Sequence, residues 1–254
     1  MNDLRLLDIG SANPRLDKGW SELDKVQVVM FEPDERSYQE IKDNESYENV
    51  EIYNYALDEV SRKRKLYLTR KPELTSFYEP NTFFVNKFPN ASRWDILKDI
   101  SLETKSLNSI YDQIGEYDFI KIDTQGSELD ILKGAVNGGL ESCLGIESEV
   151  EFLEIYKNQP LFGDVCMFLS KQGFIFMDFV VEYRYGRFEL DRTGQLSFAD
   201  ALFLRSPEWI IEKYTIKQIT IEKVYKYLQV CDVYKKKDLT KLVIEQLGLN
   251  NNRD

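Results

Sequence analysis

The sequence predicts an α/β fold: an open, mostly parallel sheet with helices on both faces, an antiparallel strand at one edge, and a C-terminal helical appendage. Three observations carry this expectation. Near-continuous apolar runs, rather than alternating ones, mark strands buried on both faces of a parallel sheet. Between residues 4 and 205 these runs alternate with helical patterns, the order expected of strands linked by crossover helices. After Pro207 the strand signals stop, and Ile, Val, Tyr and Leu recur at three- and four-residue spacing.

Taken in order, "LRLLDIG" (4–10) is the first strand and closes on Asp8 and Gly10. "VQVVMFEPDE" (26–35) is the second, closing on Glu32, and "ERSYQEIKDN" after it has helical spacing. "NVEIYNYAL" (49–57) is a third strand, and "RKLYLT" (64–69) alternates like an added hairpin strand. Residues 70–105 read as irregular, with Pro72, Pro80 and Pro89 among clustered aromatics; a loop this long in a compact domain is usually functional. The fourth strand runs over 117–123, followed by a helix from Ser127 to about Ala135 that glycines 138 and 139 close. "CLGIESEVEF" (143–152) is a fifth strand, and "DVCMFLSKQG" is a helix with Gly173 at its C-cap. Residues 174–190 form a strand bending into a hairpin at Gly186, and "FADALFLR" (198–205) is the last strand. The reading divides the chain into a sheet domain, 1–205, and an appendage of two or three amphipathic helices, 206–254.

Composition excludes several function classes. The chain has 254 residues, 43% hydrophobic and 30% charged, enough for a sizeable core. Its net charge of −11 lacks the basic footprint of nucleic-acid binders. With no histidine, a Ser-His-Asp triad and any His-based zinc site are ruled out. Cys143, Cys166 and Cys231 are odd in number and widely spaced, and read as reduced thiols. No leader pattern precedes the first strand, and no apolar run approaches the ~20 residues of a membrane helix. The expectation is a cytoplasmic protein without a membrane partner.

In open parallel sheets, ligands bind outside the carboxyl ends of the strands. Asp8, Glu32, Asp123 and the acids from Glu147 to Glu151 all fall there. The turn Asp8-Ile9-Gly10-Ser11-Ala12 has one glycine where a diphosphate cradle needs three, and by itself is equally a plain strand-to-helix turn. Glu32 lies 22 positions past Gly10, where an acid can accept both hydroxyls of a ribose. It could also cap the next helix, though Asp34 is better placed to do so. A ribose-binding acid without a diphosphate cradle points to a nucleoside lacking a diphosphate, such as S-adenosylmethionine.

Here the sequence resembles the FkbM-type methyltransferases, S-adenosylmethionine-dependent enzymes with a Rossmann-like methyltransferase sheet. The resemblance rests on "LLDIGSA", "VVMFEPD", "NYAL", "DFIKIDTQGSELDILKGA", "ESEVEFLEIYKNQPLF" and "DALFLR", in that order, spanning residues 4–205. It implies that Asp8 and Gly10, with Ser11 and Ala12, line the methionine side of the cofactor, and that Glu32 holds the ribose. Ala56 and Leu57 would flank the adenine and Asp58 would bond its amine, while Asp123 would sit beside the sulfonium and the acceptor. It also implies a sugar, glycan or similar hydroxyl acceptor. The chain departs from the family pattern over 11–25, where Pro14 and weak periodicity predict a shortened helix.

Methyl transfer is an in-line displacement that needs alignment and a base for the acceptor proton. Without histidine the catalytic candidates are Asp123, ranked first, Glu147, Glu149 and Lys121. Glu128 reads as a first-turn acid answering the helix dipole, and Gln125-Gly126 as turn-shaping. The rings of the 70–105 segment would cover the site or stack on a sugar. The acid-rich edge would suit Mg²⁺ or Ca²⁺, but no full ligand spacing is visible and no metal residue is predicted. The C-terminal helices offer a homo-oligomer contact, a cap or a docking surface. The competing readings are an NAD-dependent oxidoreductase on the same sheet and a non-catalytic binding module.

Overall fold

The computed structural model describes residues 3–10, 18–21, 23, 26–43, 50–187 and 194–249. Its strands are β1 (Leu4–Ile9), β2 (Val26–Phe31), β3 (Val50–Tyr53), β4 (Ala56–Leu57), β5 (Lys63–Thr69), β6 (Ile96–Lys105), β7 (Phe119–Ile122), β8 (Gly145–Glu151), β9 (Phe174–Tyr185) and β10 (Gln195–Arg205). The α-helices are α1 (Lys18–Ser21), α2 (Glu35–Lys42), α3 (Thr82–Val85), α4 (Tyr111–Ile114), α5 (Glu128–Lys133), α6 (Gly139–Ser142), α7 (Phe162–Lys171), α8 (Pro207–Thr215), α9 (Ile221–Val233) and α10 (Lys237–Leu247).

The main sheet has seven strands in the order β3-β2-β1-β7-β8-β10-β9. The first five run parallel; β10 enters antiparallel to both β8 and β9, which puts the antiparallel pairing at one side of the sheet. The order reverses between β1 and β7, so their carboxyl ends diverge to form a crevice. The expected third strand is split. Val50–Tyr53 pairs with β2, while Ala56–Leu57 leaves for a second, three-stranded sheet ordered β4-β6-β5. The segment expected to be irregular contains β6, a ten-residue strand antiparallel to β5.

Alternation along the strands sorts the core into two layers. Leu7, Ile9, Val29, Phe31, Ile120, Ile122, Ile146 and Val150 pack with Leu129, Leu132, Val165 and Leu169 of α5 and α7. Leu4, Leu6, Val28, Met30, Phe119, Leu202 and Leu204 point the other way, onto Trp20 and the C-terminal residues Ile210, Val224, Tyr227, Val230 and Val243. Helix α1 spans Lys18–Ser21, and α9 packs beside it; most of the 11–25 stretch, where a shortened helix is expected, lies outside the described residues. Helices α8, α9 and α10 thus cover one face of the sheet. Burying each large apolar side chain contributes about 1.5–3 kcal/mol, so this layer is a major part of the core.

Candidate active site

The site is built at the carboxyl edge of β1, β2 and β7. Gly10 ends the first strand with φ 86°, its N–H donating to Phe31 O at 2.9 Å. A Cβ added there would lie 1.9 Å from the carbonyl oxygen of Asp123, so only glycine lets these two strand ends meet. Asp123 N in turn donates to Ile9 O at 2.9 Å. Ser11 and Ala12 lie outside the described residues.

Glu32 follows β2 and is 4% exposed. Its Oε1 accepts from Asp34 N at 2.7 Å. Burial, reinforced by the charges of Asp34 and Asp123, pushes its carboxyl up to about 8, against the opposing Asp34 N–H and Arg36. Asp34 is the N-cap of α2, accepting from Arg36 N, which leaves Glu32 to face the cleft. Arg36 forks onto Asp34 and also reaches Thr69 O and Thr75 Oγ1, both at 3.3 Å. It ties α2 to the inserted segment above.

These ends line a cleft that opens at the carboxyl edge of the sheet. Its apolar lining comes from Phe31, Tyr55, Leu57, Leu66, Phe77 and Ile131. Its polar lining comes from Glu32, Asp123, Thr124, Gln125, Ser127 and, from the insertion, Thr75 and Ser76. An aromatic and aliphatic lining with a buried acid beside it suits a purine nucleoside.

Of the expected cofactor residues, Gly10, Glu32, Leu57 and Asp123 line this cleft. Ala56 is buried just behind it. Asp8 is buried on the strand face opposite to Ile9, level with Met30 and Lys121, and does not line the cleft. Asp58 corrects an expectation. It is fully buried and ion-paired to Arg62 at 2.5 Å and Arg64 at 3.0 Å, so it braces the small sheet and is not available to an adenine amine.

The four catalytic candidates, Asp123, Glu147, Glu149 and Lys121, separate in the same way. Lys121 and Glu147 are level on adjacent strands and pair at 3.6 Å. Glu147, 2% exposed, also accepts from Tyr234 OH at 2.7 Å. This pair joins the sheet to α9 below the cleft, and neither residue lines it; Asp123 does. Gln125, expected to shape the turn, has a left-handed backbone there, and its side chain also bridges Asp123 and Glu149, while its Oε1 accepts from Tyr156 OH. Nothing local in the sequence signals this, because Glu149 and Tyr156 come from β8 and the loop after it. Burial raises Asp123 above the ordinary aspartate range, against its bonds to Gln125 and the charge of Lys121. Burial and neighbouring acids raise Glu149 and Glu151 well above theirs. Glu128 is the first-turn acid expected: it accepts from Thr124 N at 2.6 Å and Gly126 N at 3.0 Å, with burial raising it to about 7. Among the described residues no three of His, Cys, Asp and Glu converge to hold a metal ion.

The fold and the cleft define an α/β domain whose parallel strands end at a cleft with an acid on each side of a glycine turn. Residues 9–176 match the methyltransferase FkbM domain, and the chain belongs to that family. Among solved structures it is similar to a methyltransferase FkbM from Methylobacillus flagellatus, with 15% identity, a TM-score of 0.44, and coverage of 80% of this chain and 43% of that one. It therefore spans less than half the length of that protein. A Streptococcus pneumoniae putative tRNA (m1A22) methyltransferase shows 14% identity and a TM-score of 0.41 over 97% of this chain and 94% of that one. M. capricolum TrmK, in complex with S-adenosylhomocysteine, shows 10% identity and a TM-score of 0.38 over 94% and 93%. No curated protein matches the chain.

Proposed function

We propose that the chain transfers the methyl group of S-adenosylmethionine to a hydroxyl of a sugar, a glycan or a similar small polar acceptor. The observation that carries this reading is the single cleft joining Glu32, Gly10 and Asp123. In it Glu32 accepts from the ribose hydroxyls, and Leu57 and the apolar lining enclose the adenine. Asp123 stands at the far end, where a cationic sulfonium is favoured by a carboxylate. The cofactor supplies the electrophilic methyl. The chain's own work is to align the acceptor oxygen behind that carbon and to take up the hydroxyl proton at Asp123. A net charge of −11 supports a non-nucleic-acid acceptor. Free Cys143, Cys166 and Cys231 support a reducing, cytoplasmic setting. Helices α8, α9 and α10 serve as a cover for the sheet of the 1–205 domain, with 206–254 as its appendage in sequence, and among the described residues no helix is long and apolar enough to cross a membrane.

Calorimetry with S-adenosylmethionine, S-adenosylhomocysteine and NAD tests the cofactor, and labelled-methyl transfer into a glycan pool tests the acceptor. Binding of the first two but not NAD, with label appearing in glycan, is expected. Binding of NAD alone would convert the reading to an oxidoreductase; label in RNA or protein would replace the acceptor class.

A further inference from the structure

Gln125 is where three separate loops converge on the cleft. Its backbone is left-handed, with φ 57°, a conformation that a residue with a Cβ avoids unless its surroundings impose it. Its carbonyl accepts from Ser76 Oγ of the insertion at 2.6 Å. Its Nε2 donates to Asp123 Oδ1 at 2.8 Å and to Glu149 Oε1 at 2.7 Å. Its Oε1 accepts from Tyr156 OH at 2.7 Å. A primary amide has two N–H donors, and each is given to a different carboxylate.

The surroundings make that gift consequential. Facing Asp123 are Glu149 and Glu151 of β8, Glu128 of α5, Glu32 after β2 and Tyr183 of β9, with Asp200 of β10 acting on Glu149. Lys121, on the same strand as Asp123, is the cation among them. Burial favours a protonated Asp123, while the Gln125 amide, the charge of Lys121 and a hydrogen bond with Glu149 favour the carboxylate, so that the surplus protons fall on Glu149 and Glu151. A glutamate at 125 would offer no such pair of donors.

We propose that Gln125 is a positioning residue: by bonding Asp123 and Glu149 at once it keeps Asp123 ionised, and so makes the cleft distinguish the cationic methyl donor from its neutral, demethylated product. The inference rests on the methyl-donor reading above. S-adenosylmethionine carries a sulfonium charge that S-adenosylhomocysteine lacks, so a carboxylate at Asp123 weights the site towards the donor and towards release of the product. Tyr156 and Ser76 hold the amide in register from either side.

The test is calorimetric titration of the full chain with each of these two ligands between pH 5.5 and 8.5, reading the ratio of the two Kd values. Wild type is compared with Gln125→Glu and with Gln125→Met, which keeps the side-chain length but has no donor. Loss of one charge-directed hydrogen bond moves a carboxylate by about one pH unit, a factor of about ten. The donor-over-product ratio should therefore fall about tenfold near neutral pH in both variants, and recover as pH is raised. A change in shape alone weakens both ligands together and leaves the ratio unmoved; that result, in whichever variant folds, overturns the proposal while leaving the methyl-donor reading intact. Failure of wild type to bind either ligand overturns both.

Discussion

Gly10 and Asp123 touch: the α-carbon of one stands so close to the carbonyl of the other that a Cβ on Gly10 would come within 1.9 Å of Asp123 O. The crevice between β1 and β7 is defined by this contact, and it also fixes where Asp123 can stand. Gly10→Ala adds a methyl that must displace backbone, at a φ of 86° that alanine disfavours. The combined cost is about 2–4 kcal/mol. A fall in Tm together with at least a tenfold loss of S-adenosylmethionine affinity is expected by thermal shift and calorimetry. An alanine variant with wild-type affinity would show that the turn is not part of the cleft.

Glu32 makes both stability and binding depend on pH, in opposite senses. Its folded carboxyl titrates at about 8, against an ordinary value of 4.5. The folded chain therefore holds a proton there that the unfolded chain has lost across pH 4.5–8. Its stability contribution is fully present below about 4.5 and is lost as pH rises towards 8, at about 1.4 kcal/mol for each pH unit crossed between those two values. Ribose hydroxyls donate to the ionised form, so affinity rises over the same range. Glu32→Gln should flatten this part of the Tm–pH curve and be the more stable protein at about pH 8, while losing about ten- to a hundredfold in nucleoside affinity. Parallel pH series by thermal shift and calorimetry check both limbs. An unchanged slope in the variant would assign the dependence to other acids.

Much of this was legible in the sequence because it is local. Near-continuous runs such as VQVVMF announce strands covered on both faces, and Glu32 and Asp123 announce themselves by ending such runs. Asp34 as the helix cap follows from residue chemistry alone. Strand β6 was hidden because Ile96 and Leu97 are both exposed on a small sheet, so no clean apolar alternation remains. Asp58 misled because its partner Arg64 becomes a neighbour only when β5 folds back. The role of Gln125 depends on Ser76, Glu149 and Tyr156, 49, 24 and 31 positions away, and no window of sequence displays that.

The C-terminal helices are expected to be indispensable for folding. Tyr227 is fully buried and donates to Arg205 O at 2.9 Å, while Lys223 and Lys226 close on the buried Asp118 at 2.7 Å each. A chain ending at Arg205 would expose the Leu4, Leu6, Val28, Met30, Phe119 and Leu202 face, a patch that invites aggregation. It should be recovered insoluble or molten. Tyr227→Phe, which removes one buried bond, should cost only about 1–3 kcal/mol. A soluble 1–205 fragment with a cooperative melt would instead make the helices a true appendage.

Asp123 and Glu147 belong to the same acid-rich edge, yet they should behave differently when neutralised. Glu147 is closed off by Lys121 and by Tyr234 OH, so its carboxylate meets helix α9 and not the cleft. Asp123 lines the cleft beside Gly10. Converting a general base to its amide typically removes about 10²–10⁴ of the rate. Asp123→Asn should therefore lose labelled-methyl transfer by at least a hundredfold while melting close to wild type, since an amide still packs against Gln125. Glu147→Gln leaves Lys121, a quarter exposed, beside a neutral partner and should lower Tm, by less than the ~3–5 kcal/mol that breaking a fully buried ion pair costs. Its folded fraction should retain transfer within about tenfold, as expected for a group that takes no proton. The reverse pattern, transfer abolished in Glu147→Gln and kept in Asp123→Asn, would move the chemistry to the Lys121 side of the sheet and require an acceptor path beneath α9.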